Sequence, residues 1–431
     1  MSTTSLTSAW EAICLNFFPI FTQPTAQNFF RLATGWILCT TRRTISAIFA
    51  FADPQGQRAH DAYHRFFPKA RWKPSDLWQI LAKFLVGIFY PAGTIPIDLD
   101  DTIFHRTGRK VQGAGYFRDA VRSTAKQVVY CWGLNLVVLS LRVKTPWGTE
   151  LGLPVNMRLY RKKTPASLID LAEAMIHELA DWFGQRRFSA CADGFYAPLA
   201  GRDLPRTELI SRIRCDAAIY DLPPKKKKGQ RGPKPKKGSR LPTPKVLARR
   251  VRSWKRLKTS ERGKVRYRLV YAQMVIWYKV SHDPILLVIS RDPQGKEKDK
   301  FLFSTDVAAQ PVEVIGGFAG RWSIEETFKN TKQYLGAEQP QSWKGVGPER
   351  AAVIGLWLYS AVWLWYLQGA PKRNVLRLVA WYPGKSHPSF QDALAAMRRV
   401  LWRGRINCMF GKHSVPTRIT EFLIDALAPA A

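Results

Sequence analysis

One stretch of this chain combines two adjacent carboxylates with several cations. In the segment "FAGRWSIEETFKNTK", residues 318–332, the carboxylates belong to Glu325 and Glu326. Its cations are Arg321, Lys329 and Lys332. Wound as one α-helix at about 100° per residue, the segment places Glu325 in the same stripe as these cations. Glu326 falls outside that stripe, so the helical phase separates the roles of the two glutamates.

Further carboxylates follow short apolar runs that read as strands. In "GTIPIDLDDT", Asp98 and Asp100 share one face of the predicted strand and Asp101 lies on the other. Asp193 ends a separate strand in "RRFSACADGFY". A single aspartate at a strand end more often begins a turn. Together with Glu325, these acids could instead supply oxygen ligands for two Mg²⁺ ions roughly 3.5–4 Å apart.

Other kinds of site have little support. The chain has no GxxxxGK[ST] phosphate loop and no GxSxG nucleophile elbow. His60 and His64 have the i, i+4 spacing of a metal pair but no convincing third ligand nearby, so we expect an ordinary packing or surface role. The six cysteines are scattered without a CxxC pair, which indicates a reducing cytoplasm and argues against disulfides and a structural zinc.

The charge indicates a polyanionic partner. The formal net charge is +35, from 67 Lys+Arg and 32 Asp+Glu. On a chain that is 46% hydrophobic, and therefore mostly packed, such a surplus points to DNA or RNA. The uncharged run at 351–367 just reaches transmembrane length, but we interpret it as a helix buried in a large core. We expect no membrane association.

The predicted secondary structure changes several times along the chain. Before residue 90 it reads as helical, and a break at 39–41 could form a helix-turn-helix whose second helix carries Arg42 and Arg43. Three strands, the second and third of which read as a long hairpin, are followed by a helix capped by Thr164 and a fourth strand, which is the order of an RNase H-like α/β core. The predicted regions are a helical N-terminal region with possible DNA binding at 1–90, the first segment of the RNase H-like core at 91–200, a mostly β insertion at 201–310, the remaining segment of that core at 311–370 and a helical C-terminal region at 371–431.

The opening segment resembles the signature of the insertion-sequence DDE transposases. That signature is Tyr, two residues, Arg, three residues, Glu, six residues, Lys. Arg321, Glu325 and Lys332 match its spacing, and Trp322 fits the usual Arg-Trp pair. Phe318 stands where the signature has tyrosine, a departure that loses a hydroxyl group but keeps an aromatic face.

Three further features resemble the same family. Asp100 with Thr102 matches the first-acid motif, for which Asp101 is a close competitor. Asp193 with Tyr196 matches the second-acid motif. The long step from residue 193 to residue 325 is similar to that of members with a β-strand insertion before the glutamate.

The resemblance implies a site, a cofactor and a partner. The metal-binding catalytic triad would be Asp100, Asp193 and Glu325. Two Mg²⁺ ions, for which Mn²⁺ can substitute, would be the cofactor. The residues implied to contact DNA phosphates are Arg321, Lys329 and Lys332. A low-complexity basic loop at 223–245 would add salt-sensitive, non-specific DNA affinity. Trp254 or Trp277 could stack on a flipped base, although both residues are more often found in a core.

The function implied is that of a DNA transposase. It would cleave the ends of a transposable element and join the freed 3′-hydroxyl to target DNA, working as a homodimer in a synaptic complex. The implied location is the bacterial cytoplasm, in association with the nucleoid. Two alternatives remain: an RNase H-fold nuclease that cuts without joining, and a catalytically inactive DNA-binding protein derived from a transposase.

Overall fold

Ten strands form one mixed sheet among the residues that the structure describes. The computed structural model covers residues 3–428, without 125, 225–232, 234, 370–383 and 411–415. The strands are β1 (Ile95–His105), β2 (Gly115–Arg118), β3 (Tyr130–Lys144), β4 (Glu150–Tyr160), β5 (Phe188–Ala192), β6 (Thr207–Arg212), β7 (Lys255–Glu261), β8 (Lys264–Ile276), β9 (Pro284–Arg291) and β10 (Lys300–Ser304). Their order is β2–β3–β1–β5–β6–β10–β9–β8–β7, with β4 also paired to β3.

Twelve α-helices surround this sheet within the same described residues. They are α1 (Thr3–Leu15), α2 (Gln23–Leu38), α3 (Ile45–Ala52), α4 (His60–Phe66), α5 (Pro74–Phe89), α6 (Leu168–Trp182), α7 (Pro244–Arg250), α8 (Pro311–Gly320), α9 (Trp322–Gln333), α10 (Gly347–Gly369), α11 (Phe390–Phe410) and α12 (Thr417–Leu427). The combination of helices with a mixed sheet confirms the predicted α/β class.

Among the described strands, only the central ones run parallel. β5 pairs in parallel with β1 on one side and with β6 on the other. The pairs formed by β1, β2 and β4 with β3 are antiparallel, as are those from β6 through β10, β9 and β8 to β7. Strands β7–β10 therefore extend the sheet beyond β6. The parallel pairing brings the middle of β1 to the level of the carboxyl end of β5, where the site is built.

The predicted hairpin of β3 and β4 is confirmed, whereas the start of α6 lies three residues later than expected. Ser167 caps this helix, because its hydroxyl accepts a hydrogen bond from Asp170 N while the Asp170 carboxylate accepts one from Ser167 N. Thr164, the predicted cap, instead donates to the Arg161 carbonyl at 2.7 Å. The reciprocal capping box satisfies two backbone donors, whereas Thr164 satisfies none.

The N-terminal helices belong to the main core. The indole of Trp36 on α2 donates to the Leu335 carbonyl at 2.7 Å. Arg43 is buried and donates to the Tyr334 carbonyl at 2.9 Å. The second helix of the proposed helix-turn-helix, α3, begins after Arg42 and Arg43 and carries neither of them. That aspect of the prediction is wrong, because these arginines lie in the connection and Arg43 points into the protein.

Helix α10 is the candidate membrane span, and it is a core helix. Its length and composition would allow it to cross a membrane, with a mean hydropathy of 1.3, but 89% of the apolar window is buried inside the protein. It packs against α1, α5, α9, α11 and β4. The interpretation as a helix buried on all sides is confirmed.

Some of the basic loop at 223–245 lies outside the described residues, namely 225–232 and 234. Of the described remainder, Lys237 lies against the rings of Tyr220 and Tyr278, with Nζ 4.1 and 4.3 Å from the two ring centres. Helix α7 begins at Pro244.

Candidate active site

The two aspartates of the predicted triad come together because β1 and β5 are parallel neighbours. Leu99 pairs with Ala192, so Asp100 and Asp193, the next residue on each strand, lie at the same level. β5 ends there, and the Asp193 side chain caps a 3₁₀ turn by accepting from Phe195 N at 2.8 Å. β1 continues past this point, which leaves its acids beside the end of β5.

The segment at 318–332 is not one uninterrupted helix. Arg321 lies between α8 and α9 with φ −51° and ψ −27°, and Ile324 N donates to its carbonyl over three residues instead of four. Before it, Gly320 packs so tightly that an added Cβ would lie 2.8 Å from Arg142 Nη1. The backbone stays close enough to helical that Arg321 and Glu325 still share one face.

Arg321 joins two of the three predicted metal ligands. One guanidinium nitrogen donates to the Asp100 carboxylate, and Nη2 donates to Glu325 Oε1 at 2.7 Å. The Arg321 side chain is only 10% exposed and lies against the ring of Phe318, 5.5 Å from its centre. In this structure the arginine therefore supplies the positive charge between carboxylates from β1 and α9.

Two neighbouring aspartates of β1, Asp100 and Asp101, have raised pKa values. Burial raises the pKa of Asp100 to about 7; Arg321 opposes this rise, while nearby Asp193 and Asp101 add to it. Burial also raises the pKa of Asp101, although the Tyr196 hydroxyl donates to its Oδ1 at 3.0 Å. Buried carboxylates that raise one another's pKa need a cation to ionise fully at neutral pH.

Asp98 has a structural role, although it shares a strand face with Asp100. It is fully buried, accepts from Arg142 Nε at 3.0 Å and accepts from the Ser323 hydroxyl at 3.2 Å. These contacts tie β1 to β3 and to the start of α9. Sequence reasoning missed Arg142, although one arginine inside the apolar run "VVLSLRV" is a signal of a buried ionic partner.

A cavity of about 660 Å³ connects the predicted site residues. Its lining includes Asp100, Asp101, Asp193, Arg321, Glu325, Glu326, Lys329 and Lys332. Lys329 is exposed, whereas the Lys332 side chain is only 26% exposed and its Nζ lies 4.0 Å from Glu338 Oε1. Burial lowers the pKa of Lys332. The structure thus brings all predicted residues to one cavity, and Glu326, expected to point elsewhere, also reaches its wall.

Of the two tryptophans proposed for base stacking, Trp277 is buried and packs edge-on against Phe303, so the prediction is wrong for this residue. Trp254 is half-buried, and the Arg291 guanidinium lies 4.3 Å from its ring centre. Stacking by Trp254 stays a prediction. An exposed aromatic residue near the site is Trp322, and the Arg262 guanidinium lies 3.9 Å from its ring centre.

The acids at this cavity suit a hard divalent cation. Asp100, Asp101, Asp193 and Glu325 offer carboxylate oxygens, which are the ligands that Mg²⁺ and Mn²⁺ prefer. The placement of Arg321 between two of them marks a position that favours positive charge. The residues present therefore fit the metal that the sequence implies. His60, in contrast, is exposed and His64 is half-buried, and their Nε2 atoms lie 3.1 Å apart.

Comparison with known families assigns residues 16–283 to a family described as DDE superfamily endonuclease. The matched segment contains Asp100 and Asp193 and ends before the helix of Glu325. A comparison with curated proteins finds no match.

Proposed function

This chain belongs to the DDE superfamily of endonucleases, and from that membership we propose that it is a transposase. It would cleave DNA at the ends of a transposable element in a Mg²⁺-dependent reaction and transfer the freed 3′-hydroxyl to target DNA. The activity of a nuclease-type enzyme follows from the family. The strand transfer, the DNA substrate and the metal belong to the proposal.

The observation that carries the proposal is the convergence of Asp100, Asp193 and Glu325 on one cavity, from three separate elements. The strand order β4–β3–β1–β5–β6, with its parallel centre, supports an RNase H-like core. In this interpretation β7–β10 form the insertion that separates the second acid from the glutamate. The signature spacing of Arg321, Glu325 and Lys332 supports a transposase over a general nuclease.

Within the proposed mechanism Asp100, Asp193 and Glu325 hold the metal. When bound, Mg²⁺ would activate the attacking hydroxyl and stabilise the leaving oxygen. Glu325 is fixed in its rotamer by Arg321, whose planar guanidinium also has the geometry to donate two hydrogen bonds to a DNA phosphate. The hydrogen bond from Tyr196 to Asp101 supports a positioning role for Asp101 and the choice of Asp100 as the first metal ligand.

The cations of the cavity would position the DNA. Lys329 is exposed on the same side as the acids, and Lys332 lies deeper in the wall. Phosphate contacts of this kind fix register without reading sequence. The basic loop would add non-specific affinity, and pairing of two DNA ends would involve a homodimer. We assign the protein to the bacterial cytoplasm, in association with the nucleoid.

The experiment uses DNA that flanks the coding sequence. Inverted repeats and a short target duplication there would supply the substrate: oligonucleotides ending in the repeat, incubated with Mg²⁺, protein and a supercoiled plasmid. A transposase joins the oligonucleotide to the plasmid. Cleavage without joining would identify a nuclease, and binding without cleavage would identify an inactive derivative; either result overturns the proposal.

A further inference from the structure

A second group of potential metal ligands consists of His105 and Asp119, which also line this cavity, together with Cys131. His105 ends β1, Asp119 directly follows β2, and Cys131 is the second residue of β3. Since Phe117 pairs with Cys131 and Gly133 pairs with His105, the sheet register brings these three side chains together. One ligand atom from each residue, nitrogen, oxygen and sulfur, lies within 4.8 Å of the other two.

In this group one potential metal-binding atom of His105 faces one of Asp119. His105 Nδ1 lies 3.1 Å from Glu338 Oε1, while Asp119 Oδ1 accepts from Val121 N and Arg122 N at 3.0 and 3.1 Å. His105 Nε2 lies 3.5 Å from Asp119 Oδ2, which is also 3.6 Å from Arg122 Nε. Among the described residues Nε2 is buried without a hydrogen-bond partner, although a buried imidazole nitrogen normally has one.

This arrangement of ligand atoms and hydrogen bonds is typical of zinc sites. A metal-binding histidine generally uses one ring nitrogen as ligand while the other donates to a carboxylate, which fixes the tautomer, and Glu338 is placed to accept that hydrogen bond. Cys131 is buried and forms no disulfide, so its sulfur is available as a ligand. A nitrogen, oxygen and sulfur set favours Zn²⁺ over Mg²⁺, because Mg²⁺ prefers oxygen ligands alone.

We infer that His105, Asp119 and Cys131 form a Zn²⁺ site separate from the acidic triad. Cys131 would bind as the thiolate and release its proton to solvent. The site would join the ends of three strands and hold the connection after β2 against the wall of the cavity that contains the triad. The inference does not depend on the proposed transposase activity.

Two cations compete with a metal for this cluster. Arg122 Nε lies 3.6 Å from Asp119 Oδ2, and Lys332 Nζ lies 4.0 Å from Glu338 Oε1. If they alone balance the acids, no metal is needed.

The ligand spacing also explains why the sequence argued against zinc: the three residues are 14 and 12 positions apart on separate strands, and only pairing of the strands assembles them.

The test is titration of metal-stripped, reduced full-length protein with Co²⁺ in excess Mg²⁺. Co²⁺ substitutes for Zn²⁺ and, when bound to a thiolate, gives an intense near-ultraviolet charge-transfer band. We expect that band to saturate at one equivalent and to disappear on addition of Zn²⁺. Cys131→Ser should abolish it, whereas Cys215→Ser, which changes an exposed cysteine, should retain it in full. Glu325→Gln should also retain it, since that residue belongs to the other site.

Alkylation of the wild-type protein gives a result that does not depend on the folding of any variant. Zn²⁺ should slow modification of Cys131 by iodoacetamide at least about tenfold, read by mass spectrometry of its peptide, while Cys215 reacts at an unchanged rate; metal-bound thiolates are far less reactive. Absence of the Co²⁺ band in wild type, its persistence in Cys131→Ser, or equal alkylation with and without Zn²⁺ would each overturn the inference.

Discussion

Arg321 donates a hydrogen bond to Glu325 across the first turn of α9, with Nη2 2.7 Å from Oε1, and this pair determines how the site is arranged. The same guanidinium also donates to Asp100, a residue 221 positions earlier in the chain. One arginine thereby connects the strand that carries the first acid with the helix that carries the glutamate. The charge balance of the site depends on that connection.

Replacement of the two adjacent glutamates should separate their roles. Glu325→Gln removes a proposed metal ligand and should lower the rate of Mg²⁺-dependent DNA cleavage by about a thousandfold, while DNA affinity is retained. Glu326→Gln is the matched control, because it makes the same substitution at the neighbouring position. We expect it to lower the cleavage rate by less than about threefold, because the carboxylate paired with Arg321 is that of Glu325. Equal losses in both variants would contradict the assignment of Glu325.

The same comparison applies to the two adjacent aspartates. Asp100→Asn should abolish cleavage as completely as Glu325→Gln. Asp101→Asn still offers an oxygen to the Tyr196 hydroxyl and should cost only about ten- to a hundredfold, the usual effect of losing a supporting residue. Single-turnover cleavage rates measure both. A greater loss for Asp101→Asn would make Asp101 the first metal ligand.

Removal of Arg321 should make the protein more dependent on a divalent cation. Arg321→Met leaves the carboxylates of Asp100 and Glu325 without their common partner, which should lower the melting temperature in chelator. Mg²⁺ should then raise the melting temperature more in this variant than in wild type, because a ligand stabilises the state it binds. Lys329→Met, on the same helix and exposed, is the control. Equal Mg²⁺ shifts in all three proteins would show that Arg321 does not occupy the metal position.

The extended sheet contains a buried ion pair whose loss should be visible in stability and its pH dependence. Glu261 accepts from Arg268 Nε at 2.6 Å and from Lys300 Nζ at 3.1 Å. Burial works to raise the pKa of Glu261, but these hydrogen bonds outweigh it and lower the pKa to about 2 from an ordinary value of 4.5. Because the folded-state pKa is depressed, the stabilisation is present above pH 4.5 and is lost as the pH falls towards 2.

Glu261→Gln should therefore reduce the free energy of unfolding by about 3 kcal/mol at neutral pH, since it leaves Arg268 buried without this partner. The difference from wild type should shrink as the pH falls from 4.5 towards 2 in denaturant unfolding. A difference that does not change with pH would mean that the pair contributes through packing and not through its charge.

The basic loop offers a test of non-specific DNA binding. Deletion of 225–235 removes six Lys and Arg residues but keeps Lys237, which packs between Tyr220 and Tyr278. If all six contact phosphates, the slope of log affinity against log salt should become shallower by about 5. Fluorescence anisotropy with a duplex of arbitrary sequence measures the slope. An unchanged slope would exclude this loop from the DNA-binding surface.

Local patterns explain why much of the fold could be predicted. The apolar runs of β3 and β4 about a turn, the capping chemistry before α6 and the apolar run of α10 are properties of short segments, and their element types were predicted correctly. The predicted start of α6 was wrong because two nearby residues, Thr164 and Ser167, are both suitable helix caps, and Ser167 is the one that caps the helix. The packing of Arg43 could not be predicted, because its partner carbonyl, on Tyr334, is 291 residues away.

The sequence by itself determined the chemical groups of the candidate site, since residue type and spacing mark carboxylates at two strand ends and on one helix, and the family resemblance selects Asp100, Asp193 and Glu325 among them. Only the tertiary structure decided how those groups are balanced. Asp98 is neutralised by Arg142, Asp101 is held by Tyr196, and Arg321 joins Asp100 to Glu325. The physical reason is that burying an unpaired charge costs free energy, so each buried carboxylate needs a hydrogen-bonding or oppositely charged partner. Packing across the sheet determines which residue that partner is, because the partner is distant along the chain.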